Sequence, residues 1–122
     1  MRRPVFFNLA QIQMPVGALT SITHRVTGVL LALGIPFGIY ILELSLQSPE
    51  SYARLARLFD AGWFKTTVVV FTWALAHHLL AGIRHMLSDI DIGSLLLAAR
   101  RSAWIVNVGG LAVALLVAGA MF

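Results

Sequence analysis

Three windows of this chain carry no charged residue at all: Val26 to Leu42, Thr66 to Ile83 and Ser102 to Phe122. Each approaches or exceeds the roughly 17 to 25 residues that an α-helix needs to cross a bilayer. The backbone of such a segment must satisfy its own hydrogen bonds in hydrocarbon, which leaves helices or a closed barrel as the available folds. Uninterrupted apolar runs of this length specify helices. With 59% hydrophobic and 11% charged residues in 122, a single soluble domain could not bury the apolar surface. The sequence therefore predicts an all-α integral membrane protein with one membrane domain and three transmembrane helices.

The spans are expected at about residues 16–46, 62–90 and 102–122, with a short interfacial helix at about 48–59. The first apolar run starts too far from the N-terminus, and is too long, for the core of a secretory signal, so it is expected to be mature structure. Residues 1–15 mix two prolines with alternating apolar and polar residues, which suits a segment lying against headgroups or a partner protein. Pro36, with Gly34 and Gly38 around it, marks a site for a kink and a close helix contact, although glycine and proline are also common incidental residues of membrane helices. Ser48-Pro49-Glu50 reads as a helix start, after which Tyr52, Leu55, Leu58 and Phe59 share one face. Trp63 and Phe64 mark re-entry into the bilayer. The third span offers no chemistry, and Gly109, Gly110 and the run Ala118-Gly119-Ala120 suit it to packing.

A net charge of +4 reports topology here before it reports nucleic-acid binding, and no nucleic-acid partner is expected. Arg2, Arg3, Arg25, Arg84, Arg100 and Arg101 fall on one side of the membrane, against Arg54, Arg57 and Lys65 on the other. That excess places the N-terminus in the cytoplasm and the C-terminus outside, in a bacterial-type inner membrane with a periplasmic face. The absence of cysteine excludes disulfides, thiolate-held iron–sulfur clusters and covalent c-type haem on this chain. A redox centre here has to use histidine.

Polar groups in such a chain are costly at membrane depth and call for a reason. On the second span His78, Gly82, His85 and Asp89 follow spacings of four, three and four, so they line one helix face. His78 is the deepest, a little past mid-span toward the cytoplasm. Neutral imidazole is a good ligand for haem iron, and Gly82 one turn on would let a flat macrocycle approach the backbone. His77 projects about 100° away, toward Arg84, and is the weaker candidate. The competing readings are an interhelical hydrogen bond for His78 and a solvated helix end for His85, Arg84 and Asp89. Ser21, His24, Arg25 and Gly28 make a comparable face on the first span. Arg25 and Ser21 could hydrogen-bond a quinone carbonyl, and His24 with Arg25 could neutralise haem propionates, unless Arg25 simply snorkels to the headgroups. No carboxylate sits in mid-span, since Glu43, Glu50, Asp60, Asp89 and Asp91 all fall at ends or loops. This argues against a small transporter, the alternative of a different class alongside a purely structural membrane protein.

Arg3-Pro4, the run Ser21-Ile22-x-His24-Arg25-x-Thr27-Gly28 and the run His78-x-x-x-Gly82-x-Arg84-His85-x-x-x-Asp89 together resemble the cytochrome b556 membrane-anchor subunits of succinate dehydrogenase. The doubled histidine at 77 and 78 is a local departure. The resemblance implies one of two small anchors in a four-subunit succinate:quinone oxidoreductase, its helices part of a heterodimeric haem-binding bundle. In such a complex a flavoprotein with FAD oxidises succinate, and an iron–sulfur subunit passes the electrons to ubiquinone. No catalytic residue for succinate oxidation is then expected on this chain. The resemblance further implies that His78 is an axial ligand of haem b iron, with the second ligand from the other anchor. Ser21 and Arg25 would line the quinone site, and His24, Arg25 and, less directly, His85 would lie near the propionates. The nearest alternative is a fumarate reductase anchor working with menaquinone.

Overall fold

The computed structural model describes residues 15–122, and the expectations for the segment before Pro15, including Arg2, Arg3 and Pro4, lie outside them. Four helices occupy almost all of the described chain: α1 (Val16–Gln47), α2 (Pro49–Leu58), α3 (Gly62–Asp89) and α4 (Leu96–Met121). Three of them, α1, α3 and α4, are long and apolar enough to cross a membrane. Among the described residues there is no strand. The protein is a multi-pass, all-helical membrane protein.

The connections show why the helices end where they do. Ser48 is extended and caps α2, its Oγ accepting from the Ser51 amide at 3.1 Å while the Ser48 amide donates back to Ser51 Oγ at 3.2 Å. Ser51 is buried and its hydroxyl also donates to the Leu44 carbonyl, which folds α2 back on α1. On α2 the apolar face is only partly engaged: Leu55 and Leu58 are half-buried, whereas Tyr52 stays exposed. Trp63 is exposed as an interfacial aromatic, but Phe64 turns inward, its ring edge-on to Phe59 at 4.9 Å.

The end of α3 is a Schellman turn. The Ile92 amide donates to the Leu87 carbonyl at 2.8 Å and the Asp91 amide to Ser88 at 3.1 Å, with Asp91 left-handed at φ 61°. Asp tolerates that conformation better than most residues. Helix α4 then starts at Leu96, well ahead of the boundary expected near Ser102. A charge-free window marks the hydrocarbon-facing stretch rather than the helix: arginine is a good helix former, and exposed Arg100 and Arg101 can extend their stems toward headgroups from the first turns.

Small residues set the helix spacing. Ala74 and Ala81 on α3 and Ala103 on α4 are fully buried, and α3 packs most extensively on α4 and then on α1. A methyl group at Gly110 would lie 3.1 Å from His77 Cβ and 3.3 Å from its Cα, so the backbones of α3 and α4 touch there. Of the glycines around Pro36, Gly34 lies under the Phe71 ring while Gly38 meets nothing within 4 Å. The proposed close contact is therefore made by one of the pair, and Pro36 sits inside a continuous α1. The same contrast separates Gly110 from Gly119, which is also open. Gly110→Ala is expected to force the α3–α4 seam apart at a cost of about 1–3 kcal/mol. Gly119→Ala should be neutral, and the thermal unfolding midpoints of the two variants in detergent check the pair.

Elsewhere the surface is apolar: Leu33, Phe37, Leu46, Leu115 and Leu116 are all exposed. In water this would be an aggregating surface, whereas in hydrocarbon, or against another membrane subunit, it carries no penalty.

Candidate functional site

Helices α1 and α3 meet along the two polar faces seen in the sequence. His24 and His78 stack with ring centroids 4.2 Å apart and planes 12° from parallel, and His85 lies tilted against His24 at 5.2 Å. Two glycines make room for the rings. A methyl at Gly28 would sit 3.0 Å from His78 Cε1, and one at Gly82 would sit 3.7 Å from His24 Nε2. Thus Gly28 is the closer clearance and serves the His78 ring. The space over Gly82, expected to admit a macrocycle, is filled by His24.

His78 is oriented by the backbone of α1. Its Nδ1 lies 3.1 Å from the His24 carbonyl oxygen and 3.3 Å from Thr27 Oγ1. Buried Thr27 donates its own proton to the same carbonyl at 2.9 Å, so its oxygen is left to accept. Both neighbours of Nδ1 are then acceptors, which requires Nδ1 to carry the proton and leaves Nε2 with its lone pair in the ring plane. No hydrogen bond reaches Nε2 among the described residues. His24 covers the face of the ring and does not obstruct that in-plane direction. A ring nitrogen anchored through N–H to a carbonyl, with the other nitrogen open, is the arrangement a metal-binding imidazole uses. Among the described residues no group of three or more His, Asp or Glu side chains converges as a metal cage by itself.

His77 does something different. It is 2% exposed, faces α4, and its Nε2 lies 3.0 Å from Asn107 Oδ1, with Trp73 tilted over its ring at 5.8 Å. Arg84 follows on the same face and ties α3 to α4, donating through Nε to Ser102 Oγ at 3.0 Å and through Nη2 to the Ala99 carbonyl at 3.2 Å. Its topological charge is thus also an interhelical bracket. Asp89 is exposed at the end of α3.

Arg25 follows His24 on α1 and is exposed, with half-buried Ser21 one turn before it. It stands at one end of an open apolar groove of about 390 Å³ along Val26, Val29, Leu30 and Leu33. The structure therefore brings His24, His78 and His85 together and leaves Ser21 and Arg25 outside that cluster. Thr27 had no role assigned from sequence, and Asn107 and Thr20 were unrecognised as contacts. Their signal was available, since each is a hydrogen-bonding side chain in an otherwise apolar stretch.

Three helices long and apolar enough to cross a membrane, with an imidazole cluster between two of them, make this a multi-pass helical membrane protein. The chain belongs to the succinate dehydrogenase/fumarate reductase transmembrane subunit family, which it matches over residues 1–118. It is 36% identical over 108 residues to the succinate dehydrogenase cytochrome b556 subunit of Coxiella burnetii, covering 88% of this chain and 86% of that one. It is 32% identical over 115 residues to the cytochrome b556 subunit of Paracoccus denitrificans, covering 93% and 88% respectively. Similarity extends to the cytochrome b560 subunit of Marchantia polymorpha, at 33% over 95 residues.

Proposed function

We propose that this chain is a haem b-binding anchor of a succinate dehydrogenase complex, in which His78 would hold the haem iron through Nε2. The observation that carries the reading is the anchored Nδ1 of His78, which leaves Nε2 as a directed donor of its lone pair. The b556 name borne by the relatives supports haem b as the group. One deep imidazole is available in that direction, so the second ligand comes from another membrane-anchor subunit, across the exposed apolar surface. When bound, haem supplies a one-electron carrier close to the quinone. His24, Arg25 and His85 cluster at the same end and would balance propionate charge.

Ser21 and Arg25 would hold ubiquinone, Arg25 through guanidinium N–H donors and Ser21 through its hydroxyl. Both are donors to a carbonyl oxygen that gains charge as the quinone is reduced, and they supply that stabilisation without reorganising. Succinate oxidation belongs to a flavoprotein carrying FAD, and the electrons arrive through an iron–sulfur subunit. These two would dock on the cytoplasmic side, where the excess of arginines places the N-terminus, with the C-terminus periplasmic in the inner membrane. The family also contains fumarate reductase anchors. The succinate dehydrogenase names of the relatives favour the oxidative direction.

A reduced-minus-oxidised spectrum of the purified complex tests the haem, and a complex with all its subunits but no b-type absorbance would sink the reading. Gly28→Ala is a finer test. Its methyl would press on His78 Cε1 and displace the ring from the His24 carbonyl, so haem content should fall, whereas Gly82→Ala, with 3.7 Å of clearance, should retain it. Haem-to-protein ratios of the two variants provide the comparison.

A further inference from the structure

A second polar cluster lies about 100° round α3 from the haem-ligand candidate, and the proposed reaction makes no use of it. Thr20 of α1, His77 of α3 and Asn107 of α4 meet around one amide oxygen: His77 Nε2 is 3.0 Å from Asn107 Oδ1 and Thr20 Oγ1 is 3.2 Å from it. Thr20 and His77 are both buried. The Thr20 hydroxyl also lies 2.9 Å from the Val16 carbonyl and has one proton to share between the two acceptors. The His77–Asn107 bond is thus the firmer link, and Thr20 ties it to α1.

The cluster is an awkward choice for packing alone. His77 Nδ1 is buried without a partner among the described residues, an expense that a leucine in its place would avoid. What a leucine would not supply is direction. Gly110 lets the His77 backbone sit directly on α4, so the imidazole is wedged and hydrogen-bonded at once. His77 and His78 are consecutive, and their side chains leave α3 about 100° apart. One grips α4 while the other grips α1 through the His24 carbonyl. Any rotation of α3 about its axis must move both. A turn of about 10° carries a ring nitrogen about 6 Å from the axis through about 1 Å, enough to break the 3.1 Å bond that orients His78.

We infer that His77 and Asn107 are positioning residues for His78, holding the rotation of α3 so that its ring plane and its open Nε2 keep one direction toward the haem iron. The inference rests on the proposed ligand role of His78. Because ligand orientation and the hydrogen bond behind it tune haem iron, the consequence appears in its electronic properties before it appears in activity.

The test uses the assembled four-subunit complex carrying Asn107→Ala, His77→Leu, the double variant, His77→Gln or Thr20→Val, with Leu111→Ala as a control on the exposed side of α4. Haem content, the low-spin EPR signal of the oxidised haem and its midpoint potential are measured. Asn107→Ala and His77→Leu should keep their haem but shift the EPR signal and the potential in the same direction. The double variant should shift no further than either single change, and His77→Gln, whose amide can reach Asn107, should return toward the parent values. Parent-like signals in both single variants, additive shifts, or equal shifts in Leu111→Ala would each overturn the proposal. If Asn107→Ala fails to assemble, Thr20→Val decides: a smaller shift of the same sign supports the proposal, and no shift overturns it. Haem retained in His78→Ala would instead overturn the ligand assignment. Loss of haem there combined with unshifted Asn107→Ala would overturn only the positioning role.

Discussion

His78→Ala is expected to remove the b-type haem signal from the complex, while His77→Ala retains it. The two residues are neighbours in sequence and of one chemical type, so composition, depth and helix propensity cannot separate them. Their partners can. His78 has its Nδ1 committed to the His24 carbonyl and its Nε2 open in the ring plane, whereas His77 has its Nε2 committed to Asn107 and its remaining nitrogen buried. Removing the first deletes the proposed iron ligand, and its imidazole neighbours are not aimed to replace it: His24 lies over the face of the His78 ring and His85 lies beyond His24. Removing the second leaves the ligand in place and loosens the helix that carries it. The reduced-minus-oxidised spectrum reads both outcomes, with immunodetection of every subunit confirming assembly. A parent-like spectrum in the His78 variant would refute the assignment.

How much of this was legible beforehand depended on what kind of information each feature uses. The three spans follow from uncharged length, and the shared face of His78, Gly82 and His85 follows from helical period, both of them local properties of one helix. The start of α4 at Leu96 was missed because hydropathy marks the hydrocarbon boundary and the backbone helix extends past it through Arg100 and Arg101. The left-handed Asp91 was missed because the Schellman turn needs only one permissive residue, and an aspartate near a helix end carries no mark of that conformation. The division of labour between Gly28 and Gly82, and between Gly34 and Gly38, depends on which helix lies opposite. Periodicity of a single helix contains nothing about its neighbour's phase. The same holds for Asn107, which reads as an isolated polar residue until α3 brings His77 against it.

Arg25→Ala should lower succinate-dependent quinone reduction by on the order of 10²-fold, the scale for deleting a preorganised donor to developing charge, while succinate oxidation by an artificial dye at the soluble subunits stays unchanged. Arg25 is the side chain best placed to have this effect and no other. It is exposed on α1 and heads a groove whose remaining described walls, Val26, Val29, Leu30 and Leu33, are apolar. A quinone has the matching form, an apolar tail with a polar ring, and Arg25 would meet the ring. A snorkelling arginine that merely marks topology would respond differently. Its loss would lower the amount of inserted complex, so both activities would fall together per unit of membrane and neither would fall per assembled complex. Ser21→Ala removes a neutral donor, worth about 1 kcal/mol, and should cost roughly tenfold or less in the same assay. The ordering of the two variants is therefore part of the expectation. Equal loss of both activities would point instead to failed assembly, because the dye takes its electrons at the soluble subunits and loss of a quinone contact alone leaves that assay intact.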